Sequence, residues 1–170
     1  MLNPKMEKAL NEQINAELYS AYLYLSMAAY FEDLNLKGFG NWMKVQNLEE
    51  TFHAMKLYGF IIDRGGKVKL QALKGPKTAW KSPLDAFQDT LKHEQLVTSL
   101  INDLVYLAVE LKDRASEGFL QWYVAEQVEE EAAANGIIQQ LKLVGDNGAA
   151  LIMLDREFGA RTFTPPASGA

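Results

Sequence analysis

The stretch Gly65-Gly66-Lys67-Val68-Lys69-Leu70-Gln71-Ala72-Leu73-Lys74-Gly75-Pro76-Lys77-Thr78-Ala79-Trp80-Lys81-Ser82 decides the fold. It has no helical run of apolar residues, it opens on two glycines, and Gly75-Pro76 interrupts it. On both sides lie long segments with helical periodicity. Eighteen residues are far more than a turn between neighbouring helices needs. Fully extended they reach about 60 Å, whereas a helix of about 28 residues is roughly 42 Å long. The link can therefore travel the whole length of a bundle and leave the helices on either side of it parallel.

Working outward, a second helix is expected over about 37–64, ended by Gly65-Gly66. A third is expected over about 83–111, opened by Ser82 as N-cap and Pro83 in the first turn. The first helix runs from about Pro4 to Asp33, with Leu10, Ile14, Leu18, Ala21, Leu25 and Ala28 at helical spacing. The segment Asn35-Leu36-Lys37-Gly38 breaks it. Lys112-Asp113 makes the other short turn, before a fourth helix from about Ala115 to Val144. Gly145-Asp146-Asn147-Gly148 stops that helix, and a short fifth follows over about 149–158. The tail 162–170 reads as frayed. The expected architecture is all-α: a single domain over 1–170, built as a four-helix bundle over about 4–144 with one long crossover and a short C-terminal helix.

Polar residues recur at one interval in the two hairpins. Glu17 is followed 33 residues later by Glu50 and 36 later by His53; Glu94 is followed at the same intervals by Gln127 and Glu130. In an antiparallel hairpin, residues equidistant from the turn share a height. Both sets lie about 16 to 19 residues from their turns, roughly 25 Å, near the middle of the bundle. Glu50 and His53 share a helix face, as do Gln127 and Glu130. Glu17 interrupts an apolar face at Ile14, Leu18 and Ala21; Glu94 lies between Leu91 and Val97. Any one of these glutamates reads as a solvated polar residue. The set at matched spacing reads as a dinuclear metal site, because buried carboxylates need partners or metal. Carboxylate oxygen with one imidazole suits iron or manganese, with zinc a competitor. Glu49 points about 100° away from Glu50, and Glu126 and Glu129 flank Gln127 in the same way, so a further layer of carboxylates beside the first is expected. Glu131 reads as solvated. His93, next to Glu94, turns away and reads as a surface or packing residue. Tyr24 and Trp122 read as core aromatics, and Met43 and Met55 as core fillers.

Composition narrows the function classes. A net charge of −5 over 170 residues argues against nucleic acid as a partner. With no cysteine there are no disulfides, thiolate ligands or thiol catalysis. The start Met1-Leu2-Asn3-Pro4-Lys5-Met6-Glu7-Lys8 lacks the apolar core of a signal peptide, and the uncharged stretch 18–31 is too short to span a bilayer. A cytoplasmic protein without membrane contact is the expectation.

Glu17, Glu49-Glu50-Thr51-Phe52-His53, Glu94 and Glu126-Gln127-Val128-Glu129-Glu130 together resemble the non-haem ferritins of bacteria and archaea, and the resemblance extends over nearly the whole chain. It implies a ferroxidase that oxidises Fe(II) with O2 or H2O2 and stores ferric mineral in a hollow homo-oligomeric shell of 24 subunits. Glu17, Glu50 and His53 would bind one iron and Glu94, Glu130 and the bridging Glu50 the other. Gln127 would stand nearby, as a hydrogen-bonding or weakly coordinating group. Glu49, Glu126 and Glu129 would form a third iron site, and Tyr24 would lie close enough to supply an electron. Gln127-x-x-Glu130 stands where symmetric di-iron oxidases carry Glu-x-x-His, which should hold the second iron more weakly. Thr51 stands where haem-containing relatives carry Met, so no haem is expected. The competing readings are a di-iron oxidase that stores no iron and a metal-free structural bundle. The fifth helix, with Leu151, Ile152, Leu154 and Phe158, is expected to bury those residues only against neighbouring subunits.

Overall fold

The computed structural model describes residues 1–165. Five helices occur in order: α1 (Pro4–Asp33), α2 (Lys37–Asp63), α3 (Pro83–Glu110), α4 (Arg114–Val144) and α5 (Gly148–Phe158); no strand occurs among the described residues. Their ends fall where the punctuation places them. Asn3 and Ser82 accept hydrogen bonds from Lys5 N and Asp85 N, each with proline in the first turn. Asn35, Gly65 and Lys112 adopt positive φ (57°, 71° and 54°) just past α1, α2 and α3.

The link takes the path its length permits. Lys67 N donates to Glu7 Oε2, Lys69 N to Asn11 Oδ1 and Ser26 Oγ to Lys77 O, at 3.1, 2.5 and 2.8 Å. Trp80 then meets Tyr30, with ring centroids 5.3 Å apart. Ascending link residues meet ascending α1 residues, so the link runs alongside α1 from end to end. It returns the chain to the start of α2, and α2 and α3 are parallel.

The apolar interior has two parts. One gathers Tyr24, Phe31, Phe39, Met43, Phe87, Ile138 and Phe158. The other gathers Leu10, Ile14, Ala54, Leu57, Val97, Ile101, Leu120 and Tyr123. On each helix buried polar residues lie between these parts: Glu17 on α1, Glu50 and His53 on α2, Glu94 on α3, Gln127 and Glu130 on α4. A polar layer thus crosses the bundle at mid-height.

Four expectations are corrected. Helix α5 is not left for a neighbour to cover: Phe158 is buried in this chain's own core, Leu151 and Leu154 pack against it, and only Ile152 and Met153 stay largely exposed. The reason is polar as much as apolar. Leu36 offers α2 no side-chain cap, and Asp155 Oδ1 supplies one by accepting from Gly38 N and Phe39 N at 2.8 and 3.0 Å. Gly38 is needed there, since a Cβ would collide with the Asp155 backbone. The tail is not frayed throughout: Phe163 packs its ring on Phe52 at 6.0 Å, while 166–170 lie outside the described residues. Met43 fills the core, but Met55 is 54% exposed. Glu131 is partly buried, and its Oε1 accepts from Thr98 Oγ1 at 2.6 Å.

Candidate metal centre

Six polar side chains of the mid-height layer are buried: Glu17, Glu50, His53, Glu94, Gln127 and Glu130. Ligand atoms of Glu17, Glu50 and His53 all lie within 4.8 Å of one another. His53 Nδ1 is 3.3 Å from Glu50 Oε2. Gln13 Nε2 donates to Glu17 Oε1 at 2.9 Å, but Glu17 Oε2 is buried with no hydrogen-bond partner. A buried carboxylate oxygen in that condition is costly without a cation. Glu94 joins the layer through Tyr24, whose hydroxyl donates to Glu94 Oε1, and through Gln127 Nε2, which donates to Glu94 Oε2 at 3.2 Å. Glu130 Oε2 accepts from Gln46 Nε2 at 2.8 Å. Tyr123 OH donates to the His53 carbonyl at 2.7 Å and fixes the backbone that carries the imidazole.

The electrostatics are those of carboxyl groups crowded together by burial. Burial raises Glu50 well above the usual carboxylate range, and the charges of Glu94, Glu17 and Glu130 push it further. Glu94 is pushed up to about 8 by burial and by Glu130, against hydrogen bonds from Tyr24 and Gln127 that pull it down. Burial raises Glu130 as well. Burial lowers His53, which favours the neutral imidazole a metal ligand must be. Hard oxygen donors with one neutral nitrogen form a set that fits iron.

A second acidic region adjoins the layer. Glu49, Glu126, Glu129 and Glu130 line a cavity of about 290 Å³ between α2 and α4, walled by Phe52, Trp122 and Phe163. Trp122 stands edge-on to His53 at 5.3 Å, so this aromatic shapes the cavity as well as packing. Tyr24 is fully buried in the core, in contact with the layer. His93 is a packing residue: Nε2 lies 2.8 Å from Ser20 Oγ, and burial lowers its pKa to about 4.

Sequence reasoning missed Gln13 and Gln46, which hold Glu17 and Glu130. Each precedes a layer glutamate on its own helix by four residues, Glu17 and Glu50 respectively. That spacing marks the same face and was a usable signal. It also missed Arg161, whose Nη2 donates to Glu49 Oε2 at 2.6 Å across 112 residues. No local spacing announces that contact.

Comparison with known proteins agrees with this geometry. A family model described as a ferritin-like domain matches residues 7–144. The bacterial non-heme ferritin of Bacteroides fragilis (strain 638R) is 43% identical over 161 residues, covering 95% of this chain and 100% of that protein. That of Campylobacter jejuni is 43% identical over 156 residues, covering 92% and 93%. Among solved structures, an engineered closed form of Archaeoglobus fulgidus ferritin superposes with a TM-score of 0.96 at 55% identity, covering 96% of this chain and 100% of that one. The open-pore ferritin of the same archaeon gives 0.95 at 54%, covering 95% and 100%. With a match of this extent along the chain, the protein belongs to the ferritin family.

Proposed function

We propose that the protein is an iron-storage subunit that oxidises Fe(II) to Fe(III) at an intrasubunit pair of iron sites and deposits the product inside a hollow shell of identical subunits. One iron binds Glu17, Glu50 and His53, and the other binds Glu94, Glu130 and the bridging Glu50. Gln127 orients Glu94. Iron is here the substrate and cargo. Each Fe(II) of the pair gives up one electron; O2 takes two electrons and two protons and leaves as H2O2, or H2O2 itself takes two electrons and two protons to give water. Carboxylate oxygens favour Fe(III) over Fe(II), which drives the oxidation. Tyr24, hydrogen-bonded to Glu94, can supply a further electron. Glu49, Glu126 and Glu129 hold a third cation in the adjoining cavity, on the way from the pair to the store. No haem takes part. In the family the shell has 24 subunits. Among the described residues no helix is long and apolar enough to cross a membrane, and a cytoplasmic store is the reading we adopt.

The observation that carries this reading is the buried Glu17–Glu50–His53 group with its unpartnered Glu17 oxygen. The test is aerobic addition of Fe(II) to iron-free protein, following ferric absorbance and the iron that stays with the protein on gel filtration. Rapid oxidation with iron retained far beyond three per subunit is expected. Oxidation with retention only at the binding sites indicates a non-storing di-iron oxidase. No oxidation and no bound iron removes both readings.

A further inference from the structure

The acidic cavity beside the candidate iron pair already contains a cation. Arg161 follows α5, and its guanidinium lies against Glu49 Oε2 at 2.6 Å. Its Nη1 donates to Trp42 O at 3.3 Å, and the group stacks over the Trp42 ring at 4.4 Å. The backbone beneath is anchored separately, since Asn41 Nδ2 donates to the carbonyls of Phe158 and Arg161 at 3.1 and 2.9 Å. Beyond it, Phe163 rests on Phe52, and Phe163 and Thr164 complete the cavity wall. A segment after the bundle therefore closes a cavity whose floor is made by α2 and α4.

We propose that Arg161 competes with the third cation for Glu49 and sets how tightly that cation is held beside the pair. This rests on the reading of Glu49, Glu126 and Glu129 as a third position. A metal ion that takes Glu49 through Oε2 needs the oxygen that the guanidinium now occupies, and two cations at such separation repel. The guanidinium has no neutral form to retreat to, so it must move. Movement is open to it: its side chain is 26% exposed, and the Asn41 bonds hold the backbone while the side chain swings. In the resting protein Arg161 neutralises Glu49, which burial and Glu126 would otherwise leave poorly stabilised. When an ion arrives, the same residue weakens its hold. A transit position needs that property, because an ion held too tightly does not move on.

The experiment uses zinc, which binds oxygen and nitrogen donors and does not change oxidation state. Assembled, metal-free wild type, Arg161→Gln and Arg161→Lys are titrated with Zn(II) by calorimetry, and zinc-soaked wild-type crystals are examined by anomalous diffraction. Three zinc ions per subunit are expected. The third should bind roughly three- to tenfold tighter in Arg161→Gln, with Arg161→Lys nearer to wild type. In the wild-type crystal the guanidinium should have left Glu49 wherever zinc occupies it. An equal third step in wild type and Arg161→Gln, or zinc on Glu49 with the Arg161 contact intact, overturns the inference and leaves the third position standing. Absence of any zinc beyond the pair in all three proteins removes the third position and the inference with it. Should Arg161→Gln fail to assemble, the wild-type crystal decides alone.

Discussion

At the residue scale the sharpest expectation concerns Glu50, the carboxylate proposed to be shared by both irons. Glu50→Gln removes the carboxylate proposed to bridge the pair and should slow rapid Fe(II) oxidation roughly tenfold or more. It should also raise the melting temperature of the metal-free protein, because a carboxyl group that burial and the charges of Glu94, Glu17 and Glu130 make costly to ionise is gone. Stopped-flow oxidation at wild-type rate would sink the bridging role. The same confinement predicts a pH dependence. Glu94 is held at about 8 against about 4.5 in an open chain, so the native state binds this proton more tightly than the unfolded state. Its contribution is complete below about 4.5 and is lost as pH rises to about 8. His93 has the opposite sign: held down to about 4, it contributes above about 6.5 and loses that contribution as pH falls from there. Between pH 6.5 and 8 the carboxylates act without that opposition, and chelated protein should melt at lower temperature as pH rises. Zinc should cancel the trend by supplying the missing positive charge. A melting temperature that climbs from pH 6.5 to 8 in chelated protein contradicts this account. This buried layer was legible because helix spacing exposes it: 33 and 36 residues, repeated in each hairpin, place Glu17, Glu50, His53, Glu94, Gln127 and Glu130 at one height. Arg161 was illegible because its partner is 112 residues away on another element and no periodicity joins them.

At the scale of the element, α5 is a cap for α2. Its four apolar residues suggested a surface waiting for a neighbour, and the amphipathic pattern itself was read correctly. What a sequence pattern cannot say is which surface meets it. Asp155 decides that by reaching the unpaired N–H groups of Gly38 and Phe39, 117 and 116 residues away. Leu36, a residue unable to cap, was the one available sign that α2 needed an outside acceptor. Asp155→Ala should therefore cost about 1 kcal/mol, seen as a lower melting temperature. Hydrogen exchange should quicken at the start of α2 and not in α3. Gly38→Ala should act more severely, by driving α5 off its seat through backbone collision. Truncation after Val144 should do more than impair assembly. It removes the Asp155 cap and Phe158, which stands edge-on to Phe39 at 4.9 Å, so the bundle end around Phe31, Phe39 and Phe87 should loosen. If the truncated chain melts like the full one, α5 is an appendage after all.

The whole molecule is two apolar ends joined by a charged middle, and that division of labour explains why so much of it could be read in advance. Each end supplies the cohesion, so the middle can carry anions that would defeat a smaller core. The long link alongside α1 makes α2 and α3 parallel, and only that topology brings four helices' midpoints together with two short turns at opposite ends. The proposed storage, however, would belong to no single chain, since one bundle encloses no volume for mineral. The surface retains apolar residues that this chain does not cover, among them Leu25, Leu48, Ile62 and Leu70 on α1, α2 and the link, as a subunit built for assembly would. For the proposed shell of 24 subunits of 19.1 kDa, iron-free protein should sediment at about half a megadalton. Charge-introducing substitutions at two such positions, Leu48→Glu with Ile62→Glu, should shift it to small oligomers while α1 to α4 stay folded by circular dichroism. Those small oligomers should still oxidise Fe(II) rapidly in a first addition, because every ligand named lies within one chain. They should retain no more iron than their binding sites hold and precipitate the remainder. If they store iron like wild type, the shell is not the store. If they lose the first oxidation while remaining folded, the pair depends on neighbours, and the centre is not contained in a single subunit.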